Sequence, residues 1–239
     1  MTGNKYKIGI LAFGSLIDNP GEEIKKIEIS RIDCKTPFNI EFARISSSRD
    51  KAPTLIPVSD SSKGRKTNAQ ILVVDNETSL EDVKSILWRR ECHKKDKTQK
   101  YYEPQNPTSK NVLIGDLENF YNIDKVIYTK FLLQDEYQDL TPEKLADFAI
   151  ESILSEAGRE EKDGIRYLLS TKESGIVTEL SEEYEKFILS KTESKTLREA
   201  IEKLDRKRKM YPEYSNTPNK QIIKLNEHSS DENLKNSQH

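Results

Sequence analysis

Ile8-Gly9-Ile10-Leu11-Ala12-Phe13-Gly14-Ser15-Leu16 is the stretch on which the fold turns. A short apolar run broken by Gly-Ser reads as a buried strand that stops abruptly. It is too short to cross a membrane. The following Gly14-Ser15-Leu16-Ile17-Asp18 lacks the small-residue cleavage pattern of a signal peptide. Nor is it a phosphate-binding loop, because no Gly-Lys-Ser/Thr follows. A strand ending in Gly-Ser leaves backbone N–H groups that the sheet does not pair, and such groups can hold a carboxylate or an oxyanion. An ordinary strand-to-loop turn would carry the same residues.

Outward from this strand, more β-type segments follow. Phe38, Ile40 and Phe42 alternate with Asn39, Glu41 and Ala43, the pattern of a half-buried strand. Thr54 to Val58 is a shorter apolar stretch between Pro53 and the loop-like Ser59-Asp60-Ser61-Ser62-Lys63-Gly64. Ala69–Val74 and Val126–Leu133 are rich in β-branched residues, and Asn111–Ile114 is a weaker run. One helix interrupts them: Ser79 caps it, Glu81 and Asp82 fill the first turn, and Leu80, Val83 and Leu87 share a face. The fold class expected is α+β, a small mixed β-barrel or sheet with few helices, followed by a helical C-terminal extension.

From Thr141 the period becomes helical. Thr141-Pro142-Glu143 is a start signal, and Leu145, Phe148, Ala149 and Ile153 follow at helical spacing. Ser181-Glu182-Glu183-Tyr184 opens a second helix, and Leu197, Ala200, Ile201 and Leu204 mark a last one, ending in Arg206-Lys207-Arg208-Lys209. Cations there suit the helix dipole as a solvated end, the alternative being a phosphate-contacting patch. The organisation expected is a β-rich domain over 1–140, a helical extension packed on it over 141–210, and a disordered Asn/Ser/Lys-rich tail over 211–239.

Composition excludes several function classes. With 39 basic and 41 acidic side chains, the net charge of −2 provides no global attraction to nucleic acid or an anionic membrane. Two cysteines in 239 residues fit a reducing, cytoplasmic setting. The three histidines, His93, His228 and His239, allow neither a zinc spacing nor a Ser-His-Asp set, so metal and cofactor are both expected to be none. Cys34 with His93 is a nucleophilic pair that nothing in the sequence brings together. Nothing here specifies the oligomeric state.

Glu91 stands out among the charged residues. In projection it falls between Leu87 and Leu80, near the centre of the apolar stripe, so its carboxylate faces inward at a helix end. Burial there would raise its pKa toward the range a general acid/base needs. A salt bridge to Arg90, Arg49 or Arg44, or a frayed helix end, is the competing reading, and Lys84 lies close to the same stripe.

A strand closing in Phe13-Gly14-Ser15-Leu16 resembles the Tyr-Gly-Ser loop of the γ-glutamylcyclotransferase-like superfamily. The order that follows is similar too: Phe42-Ala43-Arg44, then Pro53 to Val58, then Ala69–Val74, then a helix ending Leu87-Trp88-Arg89-Arg90-Glu91, with Tyr101-Tyr102 beyond. The resemblance covers residues 7–133. It implies Glu91 as the catalytic acid/base and no metal or cofactor. It implies a transferase- or lyase-type reaction in which the α-amine of a γ-glutamyl compound attacks its own γ-carbonyl, releasing 5-oxoproline and an amine or amino acid. Backbone N–H groups at Gly14, Ser15 and Leu16 would hold the substrate. Phe13 stands where the family has tyrosine, which removes a hydroxyl, and the helices after Thr141 are an addition to the minimal fold. Arg44 or Arg49 could pair with a substrate carboxylate, and Tyr101 or Tyr102 could line the pocket; each is equally readable as an ordinary packing residue. A non-catalytic module binding a small ligand or a protein on the same fold is the alternative function, and an interaction protein working through the helices after Thr141 is a third.

Overall fold

The computed structural model describes residues 6–60, 62–132 and 140–210; the tail from 211 onward, with His228 and His239, lies outside the described residues, as does Leu133. Strand β1 (Tyr6–Ala12) is the central element, buried from Ile8 onward. It pairs antiparallel with β5 (Asn68–Val74) and parallel with β7 (Ile123–Lys130). β2 (Glu28–Lys35) adds to β5, and β6 (Leu113–Phe120) adds to β7, giving the order β2-β5-β1-β7-β6. Because side chains alternate along β1, Ile8, Ile10 and Ala12 face one layer and Leu11 the other. The first layer is covered by α3 (Leu80–Glu91) through Val83 and Leu87. Ser79 caps α3 by accepting from the Asp82 N–H at 3.2 Å, and residues Glu81 and Asp82 occupy its first turn, as the sequence predicts.

Of the two forms expected, barrel or sheet, the strands form the open sheet. β2 and β6 are the outer strands of a five-stranded mixed sheet, and β3 (Asn39–Ser46) and β4 (Ala52–Val58) form a separate two-stranded ribbon. The reason is where the ribbon buries its apolar face. Ile40, Phe42, Ile45 and Leu55 share one core with Leu145, Ala149, Ile165 and Tyr184 of the C-terminal helices, so helices rather than further strands cover it. Phe42 meets Tyr184 and Tyr167 edge-to-face at 5.3 and 6.2 Å, an arrangement that aromatic quadrupoles favour.

Helices are also more numerous than expected. Two short ones follow β1, α1 (Ser15–Asp18) and α2 (Glu22–Ile27). Among the described residues five come after 140: α4 (Pro142–Leu154), α5 (Glu156–Arg159), α6 (Gly164–Glu173), α7 (Ser181–Thr192) and α8 (Leu197–Met210). Thr141 caps α4 from its hydroxyl, with Pro142 at the first helical position. Asp163 caps α6 by accepting from the N–H groups of Ile165 and Arg166, both at 3.0 Å. Each such cap is worth about 1 kcal/mol.

The basic end of α8 is not simply solvated: Arg208 is buried, donating to the Ile153 carbonyl at 2.6 Å and pairing with Asp205 at 2.9 Å. It thus satisfies an orphan carbonyl at the end of α4. Among the described residues, no helix is long and apolar enough to cross a membrane.

Candidate active site

The chain leaves β1 through Gly14, whose φ of 62° and ψ of −141° belong to a region that glycine adopts and L side chains avoid. That conformation turns the backbone directly into α1, so Ser15 and Leu16 supply the first N–H groups of a helical turn, which have no intrahelical acceptor. Leu16 anchors the turn by burying its side chain in the same core as Leu87 of α3. The C-terminal end of α3 therefore lies against the loop. Arg90 there donates to the Asn19 carbonyl at 2.7 Å and to the Ser15 hydroxyl at 3.3 Å.

Glu91 is the last residue of α3, with its side chain 17 % exposed, and its Oε1 pairs with Arg90 Nη1 at 2.5 Å. The competing salt bridge foreseen with Arg90 is thus real, yet it does not remove the carboxylate from a hollow. Glu91, Ser15 and Arg90 line one cavity of about 690 Å³, together with Phe13, Leu16, Arg44 and Arg49. Among the described residues, Glu91 Oε2 accepts no hydrogen bond. The structure thus brings the inward carboxylate and the Gly-Ser loop together.

Two further walls close the cavity. On β3, a bulge between Phe42 and Arg44 changes which way the strand presents its side chains, so that Phe42 enters the helical core while Arg44 lines the cavity. The Arg44 guanidinium lies over the Phe131 ring at 4.3 Å. Arg49, in the short turn after β3, donates from Nε to the Lys162 carbonyl at 2.8 Å and stacks over the Tyr167 ring at 4.5 Å.

Lys162 and Tyr167 belong to the C-terminal helical region. Burial raises the pKa of the Tyr167 hydroxyl, opposed by the Arg49 charge and by the Leu55 backbone. The hydroxyl lies 2.7 Å from where a side-chain carbon on Gly14 would sit. A hydroxyl therefore does stand over the loop, contributed by α6 although Phe13 carries none.

The electrostatics of the cavity are dominated by cations. Burial pulls the Arg44 guanidinium down from its usual pKa; the charge of Glu91 opposes that shift and that of Arg49 adds to it. Burial likewise lowers Arg49, against the opposing influence of Tyr167 and Asp163. Both stay protonated, as guanidinium does in proteins. His93, beside Glu91, is held below its usual pKa by burial and then by the Arg90 charge, so its imidazole is neutral at physiological pH.

Other predicted residues do not come here. Tyr101 and Tyr102 do not line the cavity. The Tyr101 hydroxyl accepts from the Ile114 N–H at 3.3 Å, on the flank of α3 against Trp88, and Tyr102 is 82 % exposed. The chain between α3 and β6 runs past the outside of α3, which carries both tyrosines away from its C-terminal end. Cys34 and His93 are not partners either. Cys34 points from β2 into the core shared with Ala69 and Ile71, its thiol pushed up to about 11 by burial and by Asp33, which makes it inert.

Arg90, Lys162 and Tyr167 are among the cavity residues to which sequence reasoning gave no site role, and His93 was considered only as a partner of Cys34. Arg90 had a signal, its adjacency to Glu91 at a helix end; Lys162 and Tyr167 had none, since their contacts bridge distant parts of the chain. Among the described residues, no group of three or more His, Cys, Asp or Glu side chains is placed to hold a metal ion.

No family model, curated protein or solved structure matches the chain. Its chemistry must be argued from this cavity. The arrangement offers one carboxylate as proton acceptor, a helical turn whose first N–H groups have no intrahelical acceptor, and an excess of positive charge. Those parts suit a substrate with a cationic or neutral nucleophile and more than one anionic or developing-anion centre.

Proposed function

We propose that the chain is a γ-glutamylcyclotransferase-like enzyme that converts a γ-glutamyl compound to 5-oxoproline and a free amine or amino acid. One observation carries the reading: the Glu91 carboxylate lines the same cavity as Ser15 and Leu16, which follow Gly14 in the turn, and Arg90 ties Glu91 to Ser15. The substrate's nucleophile is its own α-nitrogen, so the site has mainly to fold the substrate and move protons.

Glu91 takes a proton from the α-ammonium. The freed amine attacks the γ-carbonyl carbon and forms the ring C–N bond. The developing oxyanion lies toward the N–H groups of Ser15 and Leu16. Collapse breaks the original amide C–N bond, and Glu91 returns protons to the departing nitrogen. Over the whole reaction two protons leave the α-nitrogen and two arrive on the released amine, so no co-reactant is consumed. A reducing, cytoplasmic setting fits the free thiols of Cys34 and Cys92.

Glu91→Gln keeps the size of the side chain and removes its basicity. It should lower the rate of 5-oxoproline formation by about 10²- to 10⁴-fold, the usual contribution of a general base. Thermal melting should remain near wild type. A variant that turns over at the wild-type rate would end the enzymatic reading.

A second reading follows from the Arg90–Glu91 contact itself, which already engages one oxygen of the carboxylate. The same cavity would then be a binding module. Thermal stabilisation by γ-glutamyl compounds without product from any of them would select it.

A further inference from the structure

The arginines held away from solvent fall into two groups. Arg89, Arg90, Arg166 and Arg208 each have a carboxylate partner, in Glu23, Glu91, Asp163 with Asp205, and Asp205 respectively. Arg44 and Arg49 have none among the described residues, and both line the cavity. Arg44 Nε is buried without any hydrogen-bond acceptor. Arg49 makes one bond, from Nε to the Lys162 carbonyl. The remaining cations nearby are already matched, Lys162 by Glu160 at 3.0 Å and Arg166 by Asp163 at 2.6 Å.

Two neighbouring guanidiniums withdrawn from water with no carboxylate in ion-pair contact are unfavourable unless something else meets them. Each guanidinium carbon lies over an aromatic ring in a cation–π contact, which neutralises no charge and supplies no acceptor for the N–H groups. An open guanidinium edge matches the two oxygens of a carboxylate or the oxygens of a phosphate.

We propose that Arg44 and Arg49 form a subsite for a second anionic group of the ligand, built jointly by the β3–β4 ribbon and the start of the C-terminal helical region. Its identity rests on the γ-glutamyl reading: the second anion is then a carboxylate on the departing amine, so the released product is an amino acid or peptide rather than a simple amine. The helical region acquires a role from this, because Lys162 and Tyr167 are what hold Arg49 in place.

The test compares γ-glutamylalanine with γ-glutamylethylamine, which differ by one carboxylate. Calorimetric titration of the Glu91→Gln chain, which retains bound ligand, should show the alanine compound binding about 10- to 100-fold more tightly, the size of a charge-assisted pair. Arg44→Gln and Arg49→Gln should each shrink that preference, and the double variant should abolish it. Equal affinity for the two ligands, or a preference that survives both substitutions, overturns the subsite. If neither ligand binds, the γ-glutamyl reading fails and inorganic phosphate becomes the probe. A rise in melting temperature with phosphate, present in wild type and absent from folded Arg44→Gln and Arg49→Gln chains, retains an anion subsite. The same response in all chains, or none in wild type, removes it.

Discussion

Arg89 on the back of α3 and Arg44 in the cavity are both withdrawn arginines, and the chain treats them in opposite ways. Arg89, 5 % exposed, donates from Nε and Nη2 to Glu23 at 3.1 and 2.6 Å and from Nη1 to the Gln99 carbonyl at 2.6 Å. Its charge and its donor edge are consumed in fastening α2 and the segment before β6 to α3. Arg44 has a ring beneath it and no acceptor on its buried Nε. The contrast separates charge that holds the fold from charge kept for something that arrives later.

Breaking the back of α3 should have the largest effect. Glu23→Ala leaves the Arg89 guanidinium buried with its main partner gone. It should cost about 3 kcal/mol, the lower end for breaking a buried pair because Glu23 is itself partly exposed. A urea titration would register this as a lower midpoint at unchanged slope. Ligand affinity at the cavity should not move at temperatures where the variant is folded. A loss below about 1 kcal/mol would put Arg89 in the same class as Arg44 and dissolve the distinction.

Arg44→Met should do the reverse. Removing a cation that has no partner, while keeping an apolar stem against Phe131, should change stability by less than about 1 kcal/mol and in the stabilising direction. Binding of an anionic ligand should fall. A destabilisation as large as that of Glu23→Ala would show Arg44 to be part of the framework.

The same contrast explains what the sequence could disclose. β1 was legible because its apolar run is unbroken to Gly14, and α3 because Ser79, Glu81 and Asp82 announce its start. Glu91 was legible because a carboxylate on an apolar stripe is a local anomaly. β2 escaped notice, since an outer strand with most of its side chains exposed has little apolar alternation. The strands of the ribbon were visible, and so were the starts of α4 and α7 that cover it; α6 was not, and no local pattern separated an open sheet from a barrel.

Arg49 and Tyr167 mark the limit most clearly. Their meeting comes with the Arg49–Lys162 hydrogen bond, made between positions 113 residues apart, and no local pattern encodes it. Tyr101 and Tyr102 failed for the complementary reason: nearness in sequence to Glu91 says nothing about which side of α3 the chain then follows.

Glu41 supplies the smallest and most delicate test, because it is a buried charge on the same strand as Arg44 with no cation but a full set of donors. Its Oε1 accepts from the Phe42 N–H at 2.7 Å and from the Thr178 hydroxyl, and its Oε2 accepts from the Leu180 N–H at 3.2 Å. Burial raises its pKa above the usual 4.5; the donors from Thr178, Phe42 and Leu180 oppose that shift, and Glu179 adds to it. The folded chain therefore holds this proton to higher pH than the unfolded chain does. The stability linked to it is complete below the unfolded value and is lost as pH rises through the folded one. Glu41→Gln cannot titrate, yet keeps one oxygen to accept from Phe42 and Thr178. The melting temperature of wild type relative to the variant should thus be highest below the usual 4.5 and decline as pH rises above it. A difference that stays flat over that range would mean that the three donors keep the carboxylate ionised throughout. The ribbon would then tolerate a buried charge of either sign without a counter-ion, and Arg44 would be set apart by its missing hydrogen bond alone.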